Sequence, residues 1–149
     1  MSVTTQQVQL TLVKDQTFIP LYAKAGDAGC DAKANLTEDR IVLSGDTALV
    51  PLGIKVAIPE GYELMVRPRS GLALKNSVTI LNSPGCVDSS YRGEVCAIVI
   101  NHGRHPFYIK PGDRICQLVM NKVEKIQWNI VEELPATDRG EDGFGSSGV

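Results

Sequence analysis

At 149 residues, with 15 Lys plus Arg against 17 Asp plus Glu and a formal net charge of -2, the chain has room for one ordinary domain and shows no basic surface suited to polymeric phosphate. A nucleic-acid partner is therefore not expected, and no segment approaches the roughly 18 to 20 apolar residues that cross a bilayer, so neither is a membrane. The four cysteines (Cys30, Cys86, Cys96, Cys116) stand singly without zinc spacing, which leads to the expectation of a reduced, soluble, cytoplasmic protein with buried thiols.

Period-2 alternation at Val8, Leu10 and Leu12 predicts a first half-buried strand. Between Ala25 and Ala34, Asp27 and Asp31 sit among small residues ahead of a strand. A solvated turn is the ordinary reading; the functional one is that Asp31 holds a water of a hydrated Mg²⁺ ion, because magnesium keeps several waters and takes few protein carboxylates. The Val/Ile-rich runs Ile41 to Leu43 and Ala48 to Ile58, then the alternation of Leu64 with Val66, predict further strands bounded by Gly, Pro and Asp.

Arg67-Pro68-Arg69-Ser70-Gly71-Leu72-Ala73 joins guanidinium, hydroxyl and a helix start. A short helix is predicted over Ser70 to Asn76, with Ser70 as N-cap, its first N–H groups aimed at an anion; a solvated face is the alternative. Five of the seven arginines (Arg67, Arg69, Arg92, Arg114, Arg139) fall in or beside Gly-rich polar segments, which keeps a small phosphate ester open as ligand.

From Asn82 to Glu94, a polar segment with one aspartate, one tyrosine and two glycines lies between the apolar runs Val78 to Leu81 and Val95 to Ile100. This predicts a hairpin anchored in a core and shaped as a pocket. Its main-chain groups can read the edge of a planar base, and Asp88 can act as a general base; alternatively Asp88 is a turn acid and Tyr91 a half-buried strand residue. His102 and His105, beside Pro106, read as a surface loop. A turn at Gly112-Asp113 leads into a strand from Ile115 to Met120, in which Gln117 either points outward or serves a site. Ile126, Trp128 and Ile130 alternate as a last half-buried strand.

After Pro135 the composition turns glycine-rich, so residues 1–135 are expected to form the β-domain and residues 136–149 a tail that is mobile unless a ligand orders it. Arg139 and Phe144 stand out there, because a ring isolated between glycines is suited to stacking on something planar. The predicted fold is all-β, a jelly-roll-like barrel with one short helix.

Taken in order, the segments around Asp31, Arg69-Ser70-Gly71, Asn82 to Gly93, Gly112 to Val119, and Arg139 to Gly148 resemble those of the trimeric deoxyuridine triphosphatases (dUTPases). The resemblance implies a homotrimer of jelly-roll subunits with shared active sites, hydrolysing dUTP to dUMP and pyrophosphate with magnesium, the C-terminal tail of one chain closing over a site built by the others. It implies Asp31 at the metal through water, and Arg69, Ser70 and Gly71 on the phosphate chain. Asn82, Gly85 and the main chain of Val87 would shape a uracil slot. Asp88 and Gln117 would be catalytic, Asp88 handling the 3′-hydroxyl and the attacking water, while Tyr91 would lie under the sugar. Arg139, Phe144, Gly145, Ser146 and Ser147 would form the lid. The chain departs from the family's pattern at Asp142, commonly glycine, and at Ser147, commonly threonine. A dCTP deaminase of the same superfamily would need a glutamate base and a different arginine-serine signature.

Overall fold

The computed structural model describes residues 5–143. Ten strands carry the fold: β1 (Gln9–Leu12), β2 (Cys30–Lys33), β3 (Arg40–Val42), β4 (Thr47–Ala57), β5 (Tyr62–Pro68), β6 (Val78–Ile80), β7 (Gly85–Val87), β8 (Glu94–Asn101), β9 (Phe107–Ile109) and β10 (Arg114–Lys122). One helix, α1 (Ser70–Asn76), and a 3₁₀ turn at Gln16–Phe18 complete it. The strands form two four-stranded sheets, ordered β1-β4-β8-β6 and β2-β10-β5-β7, and a two-stranded ribbon of β3 with β9. All named pairings are antiparallel, and the result is the jelly-roll-like architecture the sequence predicts, although the ladders stay in separate sheets instead of closing into one barrel.

The alternation read from the sequence is the cause of this layering. Along β4, Ala48, Val50 and Leu52 turn inward and Leu49 outward. From the facing sheet Val66 and Leu118 meet them in one continuous apolar cluster with Val95, Ala97, Val99 and Ile109. The β4–β8 register slips between Pro51 and Lys55, where Gly53 adopts φ +75° and donates its N–H to Glu94 Oε1 at 2.8 Å. A Cβ at Gly53 would lie 2.7 Å from the Phe18 ring, so both backbone sign and space demand glycine. Gly53→Ala should therefore cost about 2 kcal/mol or more, read as a fall in the denaturant midpoint at unchanged m-value.

Two expectations are corrected. Ile126, Trp128 and Ile130 belong to no strand and stand 70, 82 and 96 % exposed, because nothing among the described residues covers them. Ser70 is the first residue of α1 and not its N-cap. Arg69 takes that place at φ -95°, ψ 127° with no side-chain capping bond, its guanidinium reaching the cluster described below. No helix among the described residues is long and apolar enough to cross a membrane.

Candidate active site

The second sheet brings together residues that are far apart in sequence. Across β2, β10 and β5, Asp31 is the register partner of Gln117, and Gln117 of Arg67. The Asp31 carboxylate, 13 % exposed, receives Arg69 through Nε at 3.1 Å and Nη2 at 3.3 Å, Arg114 Nη1 at 3.1 Å and Gln117 Nε2 at 3.3 Å. Arg69 also donates from Nη1 to the Arg114 carbonyl at 2.9 Å. Of the five N–H donors on the guanidinium three are committed in this way, leaving two for a ligand. Just beyond Arg69, α1 begins with no side-chain cap and no acidic residue in its first turn, so the N–H groups at Ser70 and Gly71 face no competing carboxylate of the helix itself.

On the far side of β5 lies the pocket segment. β6 and β8 pair as the predicted hairpin, and the excursion between them adds β7 to the edge of the other sheet, Gly85 opposite Val66. As an edge strand, β7 leaves main-chain N–H and C=O groups that the sheet does not use. A cavity of ≈ 210 Å³ opens here, lined by Val66, Asn82, Gly85, Val87, Tyr91 and Val95 among others. Tyr91 is braced by its hydroxyl, which donates to the Glu94 carbonyl at 2.9 Å, and by its N–H to the Asp88 carbonyl at 3.1 Å. Glu94 is itself tied to Asn35 Nδ2 at 2.9 Å, linking the pocket wall to the β4 bulge.

Asp88 is exposed at the end of β7, and none of the hydrogen bonds in the Asp31 cluster reaches it. Its one side-chain neighbour of note is Cys86, whose thiol lies 3.7 Å from Asp88 Oδ1 and donates to Glu63 Oε2 at 2.8 Å. The Cys86 thiol is pushed up to about 11, first by the hydrogen bond to Glu63 and then by partial burial, so it is a proton donor and a poor nucleophile. Glu63 is lowered in turn, held by Cys86 and then by Asn121. Glu63→Gln removes the accepting charge, and alkylation of Cys86 at pH 8, followed by mass spectrometry, should accelerate about tenfold or more; an unchanged rate would show that Glu63 does not hold the thiol proton.

The expectation of buried thiols holds for Cys116, whose burial raises it to about 12, but Cys86 is exposed and Cys30 and Cys96 are half-buried. All four are unpaired. Arg139 lies in a turn with its Nε donating to the Asp142 carbonyl at 2.8 Å. Phe144, Gly145, Ser146 and Ser147 lie outside the described residues. Among the described residues no group of three His, Cys, Asp or Glu side chains could hold a metal ion. Sequence reasoning passed over two contributors: Arg114, noted only for its polar surroundings, and Glu63. Both act across strand pairs, where sequence distance hides the contact.

The fold thus carries an apolar pocket on one side of β5 and an arginine-carboxylate-glutamine cluster on the other, an arrangement of the kind that small-ligand sites use. The dUTPase family profile matches residues 15–148, and the chain belongs to that family. The deoxyuridine 5′-triphosphate nucleotidohydrolase of Fusobacterium nucleatum is 49 % identical over 144 residues, 96 % of this chain and 99 % of its own length. That of Caulobacter vibrioides is 53 % identical over 88 % of this chain and 86 % of its own. Among solved structures, the dUTPase of Staphylococcus bacteriophage 80alpha with dUPNHPP superposes with a TM-score of 0.85 at 26 % identity, covering 97 % of this chain and 100 % of that one. The fold is shared as well with the phage phi11 dUTPase, a structure that reveals a coordinated structural Mg(II) ion, at a TM-score of 0.77, 22 % identity, and coverage of 88 % of this chain and 100 % of that one.

Proposed function

We propose that the protein is a dUTP diphosphatase, hydrolysing dUTP to dUMP and pyrophosphate by attack of water on the α-phosphorus, which keeps uracil out of DNA and supplies dUMP. The observation that carries this reading is the convergence of Arg69, Arg114 and Gln117 on the single carboxylate of Asp31 next to the open start of α1. A triphosphate needs cationic clamps that neutralise the charge developing on its oxygens, and Arg69, Ser70 and Gly71 offer a guanidinium, a hydroxyl and helix N–H groups in one place. Gln117, fixed by its bond to Asp31, would orient the α-phosphate and the water.

At the pocket, the unused edge of β7 supplies main-chain donors and acceptors at Gly85 and Val87 for the uracil edge, with Asn82 at its mouth. Hairpin N–H and C=O groups left unpaired by the wrong edge would reject cytosine, and a slot too tight for a C5-methyl would reject thymine. Tyr91, braced through Glu94, would crowd a 2′-hydroxyl, and Asp88 would hold the 3′-hydroxyl and polarise the water.

Magnesium fits this donor set in one way only. Asp31 is a single carboxylate already receiving four hydrogen bonds, so it suits an ion held mainly by the triphosphate and reached through water, and not an ion caged by protein. Bound there, Mg²⁺ would neutralise phosphate charge. Arg139, Phe144, Gly145, Ser146 and Ser147 would close the site as a lid formed by residues 136–149, excluding water. Asp142, exposed, would then point its carboxylate to solvent and away from the phosphates.

Among the described residues no hydrogen bond joins Asp88 to the Asp31 cluster, an arrangement that suits a homotrimer in which different copies contribute to each site. The test is pyrophosphate release from dUTP, dCTP, dTTP and UTP with magnesium. Release from dUTP alone is expected; none from dUTP, or faster release from dCTP, overturns the assignment.

A further inference from the structure

We propose that a second, basic recess, between the end of α1 and the loop joining β8 to β9, binds a small polyanion of the pyrophosphate class. The recess has a volume of ≈ 410 Å³ and is lined by Lys75, Ser77, His102, Arg104, His105 and Phe107 together with their chain neighbours. Lys75 and Arg104 bring two full positive charges and the two imidazoles further donors, while no lining residue is acidic. On a chain where acids outnumber bases, 17 to 15, a recess of one sign is a local concentration of positive potential.

Its walls are fixed before any ligand arrives. Asn101, 0 % exposed, donates from Nδ2 to the Val42 carbonyl at 2.9 Å and to the His105 carbonyl at 2.8 Å, and accepts from the Gly103 N–H at 2.9 Å. The His102 N–H donates to the Ser77 carbonyl at 2.9 Å, and Ser77, at φ 56°, turns the chain out of α1. A Cβ at Gly103 would lie 2.6 Å from the Asn76 carbonyl oxygen, so only glycine lets the loop close on the helix. The buried amide thus holds the backbone on both sides of Arg104, and Ser77 holds that of His102, which reduces the ordering cost of binding.

A diphosphate carries more negative charge and more acceptor oxygens than orthophosphate or sulfate, so a recess that holds Lys75 and Arg104 and no acid favours it. Helix α1 spans only 7 residues, with Ser70 at the proposed phosphate clamp and Lys75 at this recess, so the two anion sites would sit at opposite ends of one rigid element. The recess does not depend on dUTP hydrolysis for its existence.

The experiment is a ¹⁵N-resolved NMR titration of the full chain with inorganic pyrophosphate, orthophosphate and sulfate in parallel. Pyrophosphate should shift the Gly103 and Arg104 amides and the His102 and His105 imidazoles saturably and at lower concentration than the other two anions. Lys75→Ala/Arg104→Ala should weaken this response about tenfold or more, leaving the Gly71 and Gln117 shifts and dUTP turnover as in the wild type. Arg104→Gln, which keeps side-chain bulk, should give a smaller loss of the same kind if the double variant folds poorly. Shifts confined to Gly71 and Gln117, equal affinity for the three anions, or an unchanged response in the variants would overturn the proposal.

Discussion

Asp88→Asn should lower kcat for dUTP by about 10²- to 10⁴-fold, the range general acid–base groups contribute, with KM changed much less. The substitution keeps the shape of the side chain and one acceptor for the 3′-hydroxyl, so ground-state binding survives. What it removes, in the proposed mechanism, is the negative charge that would polarise the attacking water and stabilise the proton leaving it. Asp88 is exposed after β7 and contributes to no core contact, so the thermal midpoint should move little, consistent with a surface change within about 0.5 kcal/mol. This separation of activity from stability makes the result decisive. Initial rates of pyrophosphate release and a thermal melt on the same preparation suffice; equal turnover by the two proteins would remove Asp88 from the reaction.

The surroundings of Asp88 were easier to read from the sequence than those of Asp31. Asp88 stands in a polar segment between two apolar runs, and β6 pairing with β8 delivers the hairpin that such spacing predicts. Asp31, among small residues, reads first as a solvated turn. Its environment is instead set by β10, 83 to 86 residues away, which brings Arg114 and Gln117 onto it. Register across a sheet is a tertiary quantity, and no local pattern reports it.

The same reasoning separates the strands that were legible from those that were not. The runs that became β4, β8 and β10 carry enough alternating Val, Ile and Leu to declare their buried face. β7 and β9, at 3 residues each, are too short to show a period and exist because β5 and β3 offer them an edge. Gly53 lies inside an apolar run that looks uninterrupted. The bulge there becomes visible only when Phe18 and Glu94 are seen to converge on it. Arg69, extended at φ -95°, ψ 127°, takes the N-cap position without a side-chain capping bond, and its guanidinium is engaged with Asp31 instead.

Replacing Ile126, Trp128 and Ile130 together by serine should dissociate the proposed trimer. These side chains alternate as a half-buried strand would, yet in one chain they are 70, 82 and 96 % exposed, with Leu134 at 85 % beyond them. A period-2 pattern reports that one face needs covering and is silent on which molecule covers it. No sheet among the described residues takes this segment up, and an apolar segment left in water is the mark of an interaction surface. Full burial of such a side chain is worth about 1.5–3 kcal/mol, so the three together contribute roughly 5 kcal/mol or more per chain to assembly, more than 10³-fold in a dissociation constant. The serine variant should run as a monomer in size-exclusion chromatography with light scattering at micromolar concentration, where the wild type should run as a trimer. Since none of the three residues belongs to the buried core, the variant should keep the β-sheet circular dichroism of the wild type. It should also lose dUTP turnover, because Asp88 and the Asp31 cluster would no longer be brought to one substrate by different copies. A variant that stays trimeric and active would place the trimer contacts elsewhere, and a monomer of full activity would mean that one chain completes its own site.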